Sequence, residues 1–486
     1  MHGLELVLAL VYLAIVLATV LHVVMDDRQP AKTVAWVLVI TFVPVVGIVF
    51  FMFFGVNTRR ERLVSQRSLD QLTKRSMLGF VGQQNLQLPT NYKPVIDLFI
   101  NQNMALPFMD NRFTVHTDGY QFFGALLTAI GSARSHIHIN MYIFNDDALG
   151  HLVADALISK ARQGVEVRII YDDVGCWNVS HRFFELMREE GIEAVPFLPV
   201  RFPTFTRKVN YRNHRKIIVI DGHTGFIGGM NIALRYVKGT NRGEKWRDTM
   251  LQVSGPVVYS LQRAFLVDWY FVDRTLLSDK KYYPDSSSFL PLPNDGHPSV
   301  DNHGSLAQVV TSSPNTPYPE IMQGFVHVIL AARRYIYIET PYFLPNEPVF
   351  FALKTAAVAG IDVHLLVPLH GDARFTEWAG RSFLREANEA GIRVSLYNGG
   401  FLHSKLMVVD DAIVTCGSTN VDFRSFENNF EANVFIYDEQ TALGMKQIFL
   451  DDASQSILLS DLPHRSHPPF LKRLGESLCR ILAPLM

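Results

Sequence analysis

The chain has 486 residues, too many for one ordinary hydrophobic core, so two or more domains are expected. Its 45 Lys and Arg nearly balance its 46 Asp and Glu, so no net charge attracts a polyanion such as nucleic acid and any anion site must be local. The three cysteines, Cys176, Cys416 and Cys479, are far apart without CxxC spacing. This argues against a disulfide framework or a zinc site and favours a reducing, cytosol-facing compartment.

Two apolar segments near the N-terminus, Leu4–Val24 and Thr33–Val56, are each long enough to cross a bilayer, which needs about 20 helical residues. The first contains only Glu5 and His22 as ionisable groups, and the second contains none. A cleavable signal peptide is the alternative for the first segment, but no Lys or Arg precedes it and no small-x-small cleavage site follows. We therefore predict a two-span membrane anchor at residues 1–58.

Arginine is concentrated directly after the second apolar segment, in the sequence NTRRERLVSQR, whereas the connector MDDRQPAK is balanced in charge. Positive residues stay on the cytoplasmic side of a membrane. The sequence therefore predicts a multi-pass protein of the inner, cytoplasmic membrane, with both ends of the hairpin and the body of the chain on the cytoplasmic side. A polar linker is expected at residues 59–105.

The remainder of the chain is an internal repeat. SHIHINMYIF resembles RYIYIETPYF, which aligns Tyr142 with Tyr342, and KARQGVEVRIIYD resembles AAVAGIDVHLLVP. Apolar runs alternate with amphipathic helical stretches, a pattern typical of α/β units around a buried sheet. We predict homologous domains at 106–290 and 306–465, a connector at 291–305 and an amphipathic segment at 466–486.

Each repeat contains a His, a Lys two residues later and an Asp five residues after that: His214, Lys216 and Asp221, then His403, Lys405 and Asp410. Because residues i and i+2 of a strand point to the same face, each imidazole is expected beside an ammonium group. The alternative is that His and Lys are solvated strand ends and Asp a turn former. Two matches at equivalent repeat positions favour a functional motif.

Further polar residues follow each triplet. A turn of small residues leads to an Asn in both copies, in GGMN up to Asn231 and in GSTN up to Asn420. Glycine lets the backbone approach a ligand, and the Asn amide donates to anionic oxygens. Asp248 and Glu431 each precede or begin an apolar run. They are the candidates for fixing the tautomer of a catalytic histidine through its second nitrogen.

The duplicated pattern H-x-K-x4-D-x6-G-[GS]-x-N resembles the phospholipase D superfamily. The contexts NYRNHRKIIVIDG and GGFLHSKLMVVDD, with the two-span N-terminus, resemble its bacterial cardiolipin synthase branch. The resemblance covers almost the whole chain. It implies two domains in a pseudo-twofold arrangement, each a mixed sheet flanked by helices, with both motifs at one active site. It also implies phosphodiester exchange through a phosphohistidine, without a metal or cofactor. The first copy departs from the second in having Gly229 where the second has Ser418.

The residue chemistry agrees with that mechanism. Lys216 and Lys405 can neutralise a phosphodiester and stabilise a five-coordinate phosphorane. Asn231, Ser418 and Asn420 are candidate phosphate contacts. One neutral imidazole attacks phosphorus while the other, protonated, releases the leaving alcohol. Asp221 and Asp410 belong to the motif but are expected to order it rather than react. The symmetric repeat leaves the nucleophile open, and similarity to other members favours His214.

Two segments are candidates for membrane contact. Basic residues alternate with apolar ones in Val195–Lys216, at Arg201, Arg207, Lys208, Arg212 and Arg215. An ordinary solvated loop is the alternative, but a loop that enters anionic headgroups fits the predicted anchor better, so Arg207, Lys208, Arg212 and Arg215 are candidate substrate-binding residues. The C-terminal segment 466–486 is amphipathic, and packing on the catalytic body and lying on the bilayer both remain open.

The predicted function is a cardiolipin synthase that joins two phosphatidylglycerols and releases glycerol. The alternative is a membrane-tethered phospholipase D or nuclease that gives water access to the same intermediate. A non-catalytic membrane scaffold is a third reading, opposed by two intact motifs. The expected partners are the membrane and its anionic phospholipids, with no nucleic acid, while the oligomeric state is left open.

Overall fold

The computed structural model describes residues 2–25, 30–51, 55, 91–200, 210–240, 243–284, 299–316 and 318–485. Within these residues the N-terminal part is helical, with α1 at His2–Met25, α2 at Pro30–Phe42 and α3 at Pro44–Phe50. Val23, Ile40 and Phe51 pack together, so the helices form a hairpin.

The helices of the hairpin differ in length. Gly3–Met25, within α1, is the one helix in the described part of the chain that is long and apolar enough to cross a membrane. The segment Thr33–Val56, predicted as one span, is divided at Val43, where φ is −133° and ψ is 63°. Pro44 explains the break, because proline disfavours the helical conformation of the residue before it. Residues 52–54 and 56 of that predicted span lie outside the described residues.

The body of the protein contains strands from both repeats. The first repeat provides β1 Phe108–His116, β2 His136–Met141, β3 Glu166–Asp172, β4 Glu193–Phe197, β5 Lys216–Ile220, β6 Thr224–Gly228, β7 Trp246–Arg247 and β8 Met250–Ser254. The second provides β9 Ser299–Ser312, β10 Tyr335–Glu339, β11 Phe343–Leu344, β12 Asp362–Pro368, β13 Arg393–Tyr397, β14 Phe401–Leu402, β15 Leu406–Val409, β16 Ile413–Gly417, β17 Val421–Asp422, β18 Glu431–Tyr437 and β19 Ser456–Leu458.

The helices of the body alternate with these strands. They are α4 Lys93–Asn103, α5 Gly119–Ser132, α6 Ala148–Arg162, α7 His181–Glu189, α8 Arg235–Lys238, α9 Val258–Asp273, α10 Glu320–Ala331, α11 Glu347–Val358, α12 Arg374–Glu389, α13 Phe423–Glu427, α14 Glu439–Ser454, α15 Pro463–Ser466 and α16 Phe470–Ile481.

One 15-stranded sheet, as far as the described residues extend, runs through both repeats. From the centre outward the first half has the order β1-β8-β6-β5-β2-β3-β4 and the second the order β9-β18-β16-β15-β10-β12-β13, with β19 at the outer edge. β1 and β9 pair antiparallel, with Phe108 opposite Ala307 and Phe113 opposite Val300. In the first half β2, β3 and β4 are parallel while β5, β6 and β8 are antiparallel, and in the second half β10, β12 and β13 are parallel while β15, β16 and β18 are antiparallel, so each half is a mixed sheet. The predicted pseudo-twofold pair of α/β domains is confirmed.

Helices cover both faces of the sheet. In the first half α5, α6 and α7 pack on one face, through side chains such as Phe122, Val153 and Phe184. In the second half α10, α11 and α12 do the same, through Phe325, Leu353 and Phe383. On the opposite face α9 and α14 cover the centre of the sheet, where the two halves share one apolar core. This shared core joins the two halves.

Two of the predicted boundaries change. Helix α4 lies inside the predicted linker 59–105, yet it packs on the second half, where the ring centroids of Phe99 and Phe435 are 4.6 Å apart. Gln308 of β9 donates through Nε2 to the carbonyl oxygen of Ala105 at 2.7 Å. β9 itself begins at Ser299, inside the predicted connector 291–305. Apolar side chains of α4 therefore complete a core, and the connector is shorter than its polar composition suggested.

Candidate active site

Each histidine of the repeated motif lies where a central strand begins. His214 stands two residues before β5, which lies between β2 and β6, and His403 stands just before β15, which lies between β10 and β16. The order of strands in the two halves is the same, so the two motifs occupy equivalent positions. Both imidazoles line one cleft of about 760 Å³ between the halves.

Short backbone pairings connect each histidine segment to the opposite half. The His214 amide donates to the Phe430 carbonyl oxygen at 2.9 Å, and Asn213 forms a bridge with Phe430. On the other side β14 pairs with β7 in parallel, and the His403 amide donates to the Arg247 carbonyl oxygen at 2.7 Å. The residues that follow Phe430 and Arg247 are the two candidate carboxylates. The backbone therefore places each carboxylate beside the histidine of the other half.

Glu431 and Asp248 make contacts across the two halves. The Glu431 carboxylate lies 3.0 and 3.1 Å from Nδ1 of His214, and Oδ2 of Asp248 lies 2.6 Å from Nδ1 of His403. Both carboxylates are fully buried. Each favours the tautomer with a proton on Nδ1, which leaves Nε2 as the nitrogen with a free lone pair. Both rings are therefore prepared for attack or proton transfer through Nε2.

The motif lysines lie against the histidines. Nζ of Lys216 donates to the carbonyl oxygen of His214 at 2.7 Å and lies 5.2 Å from the centroid of the Tyr142 ring. Nζ of Lys405 is 2.9 Å from Nδ1 of His403 and 3.4 Å from Nε2. Because Nδ1 carries the proton shared with Asp248, Lys405 contacts the ring as a neighbouring cation rather than as a donor to Nδ1. The site therefore contains two buried ammonium groups.

Burial and charge set the pKa values of the site. Burial, reinforced by the neighbouring lysines, lowers the pKa of His214 and of His403 to about 4, although the carboxylates oppose it. Burial also lowers the pKa of Lys216 and Lys405. For Asp248, burial raises the pKa, but Lys405 and His403 together outweigh it and lower the pKa below its ordinary value. An anion between the lysines would favour protonation of an imidazole.

Gly229 and Ser418 occupy equivalent positions in the two halves, and they differ because the carboxylate beside each differs in length: Asp248 beside Gly229 and Glu431 beside Ser418. Ser418 donates through Oγ to Oε2 of Glu431 at 2.5 Å, so its hydroxyl orients the carboxylate that holds His214. A Cβ atom at Gly229 would lie 2.1 Å from Oδ1 of Asp248. The shorter aspartate thus occupies the space that a serine side chain would need. Ser418, a candidate phosphate contact, has its hydroxyl engaged within the protein.

Both candidate asparagines line the cleft. Asn231 donates through Nδ2 to the hydroxyl of Tyr236 at 2.7 Å and accepts the Ile143 amide at 3.1 Å. The backbone N–H of Asn420 donates to Ser425 Oγ at 3.2 Å, and the Asn420 side chain is buried. These contacts fix Asn231 and Asn420 at the wall of the cleft, where an anionic oxygen can reach them.

The motif aspartates lie at the far ends of their strands. Asp221 follows β5 and accepts the backbone amides of Arg134, Ser135 and His136 at 2.8 to 2.9 Å. Asp410 follows β15 and accepts the amides of Arg333, Arg334 and Tyr335 at 2.7 to 2.8 Å. Only the motif groups these two aspartates with the candidate catalytic residues. Their carboxylates hold the start of the neighbouring strand, β2 or β10, and do not line the cleft.

The candidate residues of the basic loop fall into two groups: two lie outside the described residues, and two are buried. Arg207 and Lys208 lie outside the described residues. Arg212 lines the cleft and pairs with Asp172, 3.3 Å away. Arg215, expected to bind substrate, does not line the cleft: its guanidinium is buried, with Nη1 2.5 Å from Oδ1 of Asp268. It also donates to the carbonyl oxygens of Glu431 and Ser312, so it joins the two halves.

A second buried arginine was not predicted. Arg247 precedes Asp248, and its Nη2 lies 2.7 Å from Oδ2 of Asp452 and 3.5 Å from Oε2 of Glu339, both in the second half. Burial and Asp452 raise the pKa of Glu339 to about 8, against the opposing effect of Arg247. Arg215 and Arg247 therefore support the segments that carry His214 and Asp248. Nothing in the sequence distinguishes Arg247 beyond its position beside a candidate carboxylate.

Aromatic rings enclose the two imidazoles. Tyr142 packs edge-on against His214, with 4.9 Å between the ring centroids, and Tyr342 lies 6.3 Å from His403. Trp246 lies 5.5 Å from His403. The repeat alignment placed Tyr142 and Tyr342 at equivalent positions, which was a usable signal of a shared role. All three rings line the cleft beside the imidazoles.

The described residues do not bring three His, Cys, Asp or Glu side chains together in an arrangement that could hold a metal ion. The groups that converge in the cleft are instead two imidazoles, two carboxylates and two ammonium groups. These provide nucleophilic, acid–base and charge-neutralising chemistry from side chains alone.

Comparison with family models gives two matches. The model described as "Cardiolipin synthase, PLD-like domain" matches residues 126–269 and 325–453, one match in each half. The model described as "Phospholipase D-nuclease N-terminal" matches residues 14–55. The matched ranges include both histidine motifs and most of the N-terminal hairpin.

Similar proteins are found among curated sequences and solved structures. The chain is 36% identical to cardiolipin synthase 2 of Bacillus cereus over 95% of this chain and 88% of that protein. It is 34% identical to the major cardiolipin synthase ClsA of Bacillus subtilis over 99% of both chains. The crystal structure of phosphatidylserine synthase from Haemophilus influenzae is similar in fold, with a TM-score of 0.61 at 16% identity over 82% of this chain and 99% of that chain.

Proposed function

The chain belongs to the family of phospholipase D-like cardiolipin synthases, and from that premise we propose that it transfers a phosphatidyl group from one phosphatidylglycerol to another, releasing glycerol. The observation that carries the proposal is the pair of imidazoles in one cleft, each held at Nδ1 by a carboxylate from the opposite half. Such a pair provides one nucleophile and one general acid for phosphodiester exchange.

The reaction has two steps. In the first, Nε2 of one histidine attacks phosphorus, a P–N bond forms, and the bond from phosphorus to the glycerol oxygen breaks. The second imidazole donates its proton to that oxygen, so glycerol leaves. In the second step the same imidazole removes a proton from a hydroxyl of another phosphatidylglycerol, whose oxygen attacks phosphorus. The P–N bond breaks and cardiolipin is released.

The charges of the site support both steps. Lys216 and Lys405 are buried cations that offset the negative charge of the diester and of the phosphorane. Burial favours neutral imidazoles, since both pKa values are lowered to about 4, and this suits the nucleophile. The anionic diester favours protonation of the second ring, which suits the general acid. Asn231 and Asn420 are the proposed donors to the phosphate oxygens from the cleft wall.

Hydrolysis by a phospholipase D or nuclease would use the same intermediate with water as acceptor. Family membership and the named relatives favour transfer to a lipid. The aromatic rings around His214 and His403 also favour transfer, because they limit water near the intermediate.

The substrate class determines the expected location. We propose that the protein is a multi-pass protein of the inner, cytoplasmic membrane and that residues 59–486 lie on the cytoplasmic side, on the basis of the arginine-rich segment after the hairpin. A phosphatase reporter that is active only outside the cytoplasm, fused after Met486, should be inactive. An active fusion would contradict the orientation while leaving the reaction itself open.

Product analysis tests the reaction. Purified protein in phosphatidylglycerol vesicles should produce cardiolipin and free glycerol in equal amounts, because one glycerol leaves for each phosphatidyl group transferred. The activity should persist in EDTA, since no step uses a metal ion. If phosphatidic acid were the main product at every lipid density, the hydrolase would replace the synthase.

The undescribed part of the basic loop can be tested separately. We propose that Arg207 and Lys208 attract anionic headgroups. Replacing both by Ser should reduce turnover on phosphatidylglycerol vesicles more than turnover of a short-chain, water-soluble diester. Replacing Lys160 and Arg162 of α6 by Ser is a matched control that removes two basic residues elsewhere. Equal losses on both substrates would assign the loop to the structure of the active site.

A further inference from the structure

Helix α16 is attached to the body by its polar side. Glu476 is only 1% exposed and accepts a hydrogen bond from Nη1 of Arg385, while Nη1 of Arg381 lies 3.7 Å away. Arg480 donates to Oε2 of Glu386 at 2.6 Å. The three partner residues lie on α12. Charged groups, together with Cys479, which packs against the apolar core, thus provide the contact on this side of the helix, whereas an ordinary surface helix uses its large apolar residues.

The apolar side of α16 faces outward. Six large apolar residues within or directly after the helix are between 46% and 79% exposed: Phe470, Leu471, Leu474, Leu478, Ile481 and Leu482. At 3.6 residues per turn they fall within an arc of about 120°, opposite Glu476. A contiguous exposed surface of this kind marks a site of interaction.

Two residues of α12 extend this surface toward the cleft. Phe375 is 68% exposed and Trp378 is 41% exposed. Trp378 lies against α16, since a Cβ atom at Gly475 would be 3.2 Å from its ring. Thr376, between the two aromatic residues, lines the catalytic cleft. The apolar patch, defined as these two residues and the six of the C-terminal segment, therefore begins at the rim of the cleft.

The charges beside the patch indicate its partner. The single acidic residue of α16, Glu476, is buried in ion pairs, whereas Lys472 is partly exposed and Arg473 is exposed. A second copy of this chain would place like charges together. A bilayer with anionic headgroups offers both acyl chains for the apolar side chains and negative charge for Lys472 and Arg473.

We propose that α16 lies in the interface of an anionic bilayer, with the apolar patch inserted between headgroups and the rim of the catalytic cleft held at the membrane surface. This extends the proposed function by assigning a membrane-docking surface far along the chain from the N-terminal hairpin. The contact would place the cleft beside its lipid substrates. The contact between α16 and the bilayer can be measured without an activity assay.

Fluorescence quenching tests the contact. The full chain with Cys479→Ser and Leu474→Cys, labelled with a polarity-sensitive fluorophore, is reconstituted in vesicles containing phosphatidylglycerol and phosphatidylcholine. Cys176 and Cys416 are buried and should not label. We expect quenching by lipids that carry a nitroxide on the upper acyl chain. Absence of quenching would overturn the proposal. A label that becomes shielded from water only as the protein concentration rises at fixed lipid would also overturn it, and would indicate self-association.

A matched label provides the control. Leu443 is 45% exposed on α14, which covers the opposite face of the sheet from α12. Leu443→Cys in the same background should be quenched much less than Leu474→Cys. Replacing Lys472 and Arg473 by Gln should reduce quenching at position 474 in anionic vesicles. Equal quenching at positions 443 and 474 would overturn the proposed surface.

A variant of the patch then measures its effect on turnover. Leu471→Ser, Leu474→Ser and Leu478→Ser together leave the ion pairs of Glu476 intact. We expect an unchanged midpoint of thermal unfolding, unchanged turnover of a short-chain soluble diester, and about a tenfold loss on phosphatidylglycerol vesicles. A lowered unfolding midpoint with equal losses on both substrates would show a structural role and overturn the proposal. If the parent chain makes no cardiolipin, only the proposed function fails, because quenching still reports the contact.

Discussion

Glu431 and His214 are 217 residues apart in the sequence, yet the Glu431 carboxylate lies 3.0 Å from Nδ1 of His214. The same relation holds for Asp248 and His403, which are 155 residues apart and 2.6 Å apart in space. Each half of the protein therefore contributes a histidine to one pair and a carboxylate to the other. Neither of these two pairs is complete within one half.

The two carboxylates should act as positioning residues. Replacing Asp248 by Asn or Glu431 by Gln keeps the size of the side chain but removes the charge that fixes the Nδ1–H tautomer. We expect kcat to fall by about 10- to 100-fold in each variant with little change in KM. Steady-state kinetics on phosphatidylglycerol in mixed micelles measures the two constants.

An exposed carboxylate serves as the control. Glu189 of α7 has a side chain that is 56% exposed and pairs with Arg182 on the surface. Glu189→Gln should leave kcat and KM unchanged. A rise in KM without loss of kcat in the Asp248 or Glu431 variant would instead indicate a role in substrate binding.

The two histidines should behave as one catalytic unit. Replacing His214 by Ala or His403 by Ala removes either the nucleophile or the general acid, and the remaining imidazole cannot complete both steps. We therefore expect each single variant to lose nearly as much activity as the double variant. Cardiolipin formation in vesicles is the measurement. Substantial turnover in either single variant would contradict a shared site.

Much of this site could be predicted because its residues lie in a local pattern that occurs twice. His-x-Lys spacing on a strand places His214 beside Lys216 without any knowledge of the tertiary structure. Asp248 and Glu431 were found as carboxylates at the start of apolar runs. Which histidine each carboxylate holds could not be predicted, because the pairing depends on β7 and β14 meeting across the two halves.

Burial explains why Arg215 lies away from the cleft. Arg215 follows a motif histidine in a basic segment, so the sequence predicts a contact with anionic lipid. In the structure it is enclosed by Asp268 and by carbonyl oxygens of the second half. A buried aspartate on a distant helix leaves no local signal in the sequence. The break in the second apolar segment was more predictable, because Pro44 follows Val43 directly.

The stability of the protein should fall as pH falls from 6.5 toward 5. Burial lowers the pKa of four histidines to about 4 and of a fifth well below its usual value: His136, His214, His364 and His403, then His138. In the unfolded chain these groups titrate near pH 6.5. Between the two pKa values the unfolded state binds more protons, so acidification favours unfolding.

The midpoint of thermal unfolding at pH 7, 6 and 5 measures this effect before most carboxylates titrate. His364 lies outside the active site, with Nε2 2.8 Å from Oγ of Ser395. His364→Asn should reduce the dependence of the midpoint on pH. An unfolding midpoint that is equal or higher at pH 5 than at pH 7 would contradict neutral, buried histidines.

Gly229 should tolerate no side chain because Asp248 occupies the space beside it. An added Cβ would lie 2.1 Å from Oδ1 and 2.8 Å from Cγ of Asp248, so the carboxylate would have to move. Asp248 holds His403, and a displacement of about 1 Å at a catalytic group can cost on the order of 100-fold in rate. We expect a loss of that size in kcat for Gly229→Ala.

Two further variants separate this effect from a general loss of stability. Gly124→Ala on α5 adds the same methyl group where nothing lies within 4 Å, and it should leave both kcat and the unfolding midpoint unchanged or slightly higher. Ser418→Ala removes one hydrogen bond to Glu431 but moves no carboxylate. Its loss should be smaller, about fivefold, as expected for one net hydrogen bond. A larger loss in Ser418→Ala than in Gly229→Ala would indicate that the Ser418 hydroxyl contacts the phosphate directly. The presence of glycine in one half and serine in the other would then reflect substrate binding rather than the length of the neighbouring carboxylate.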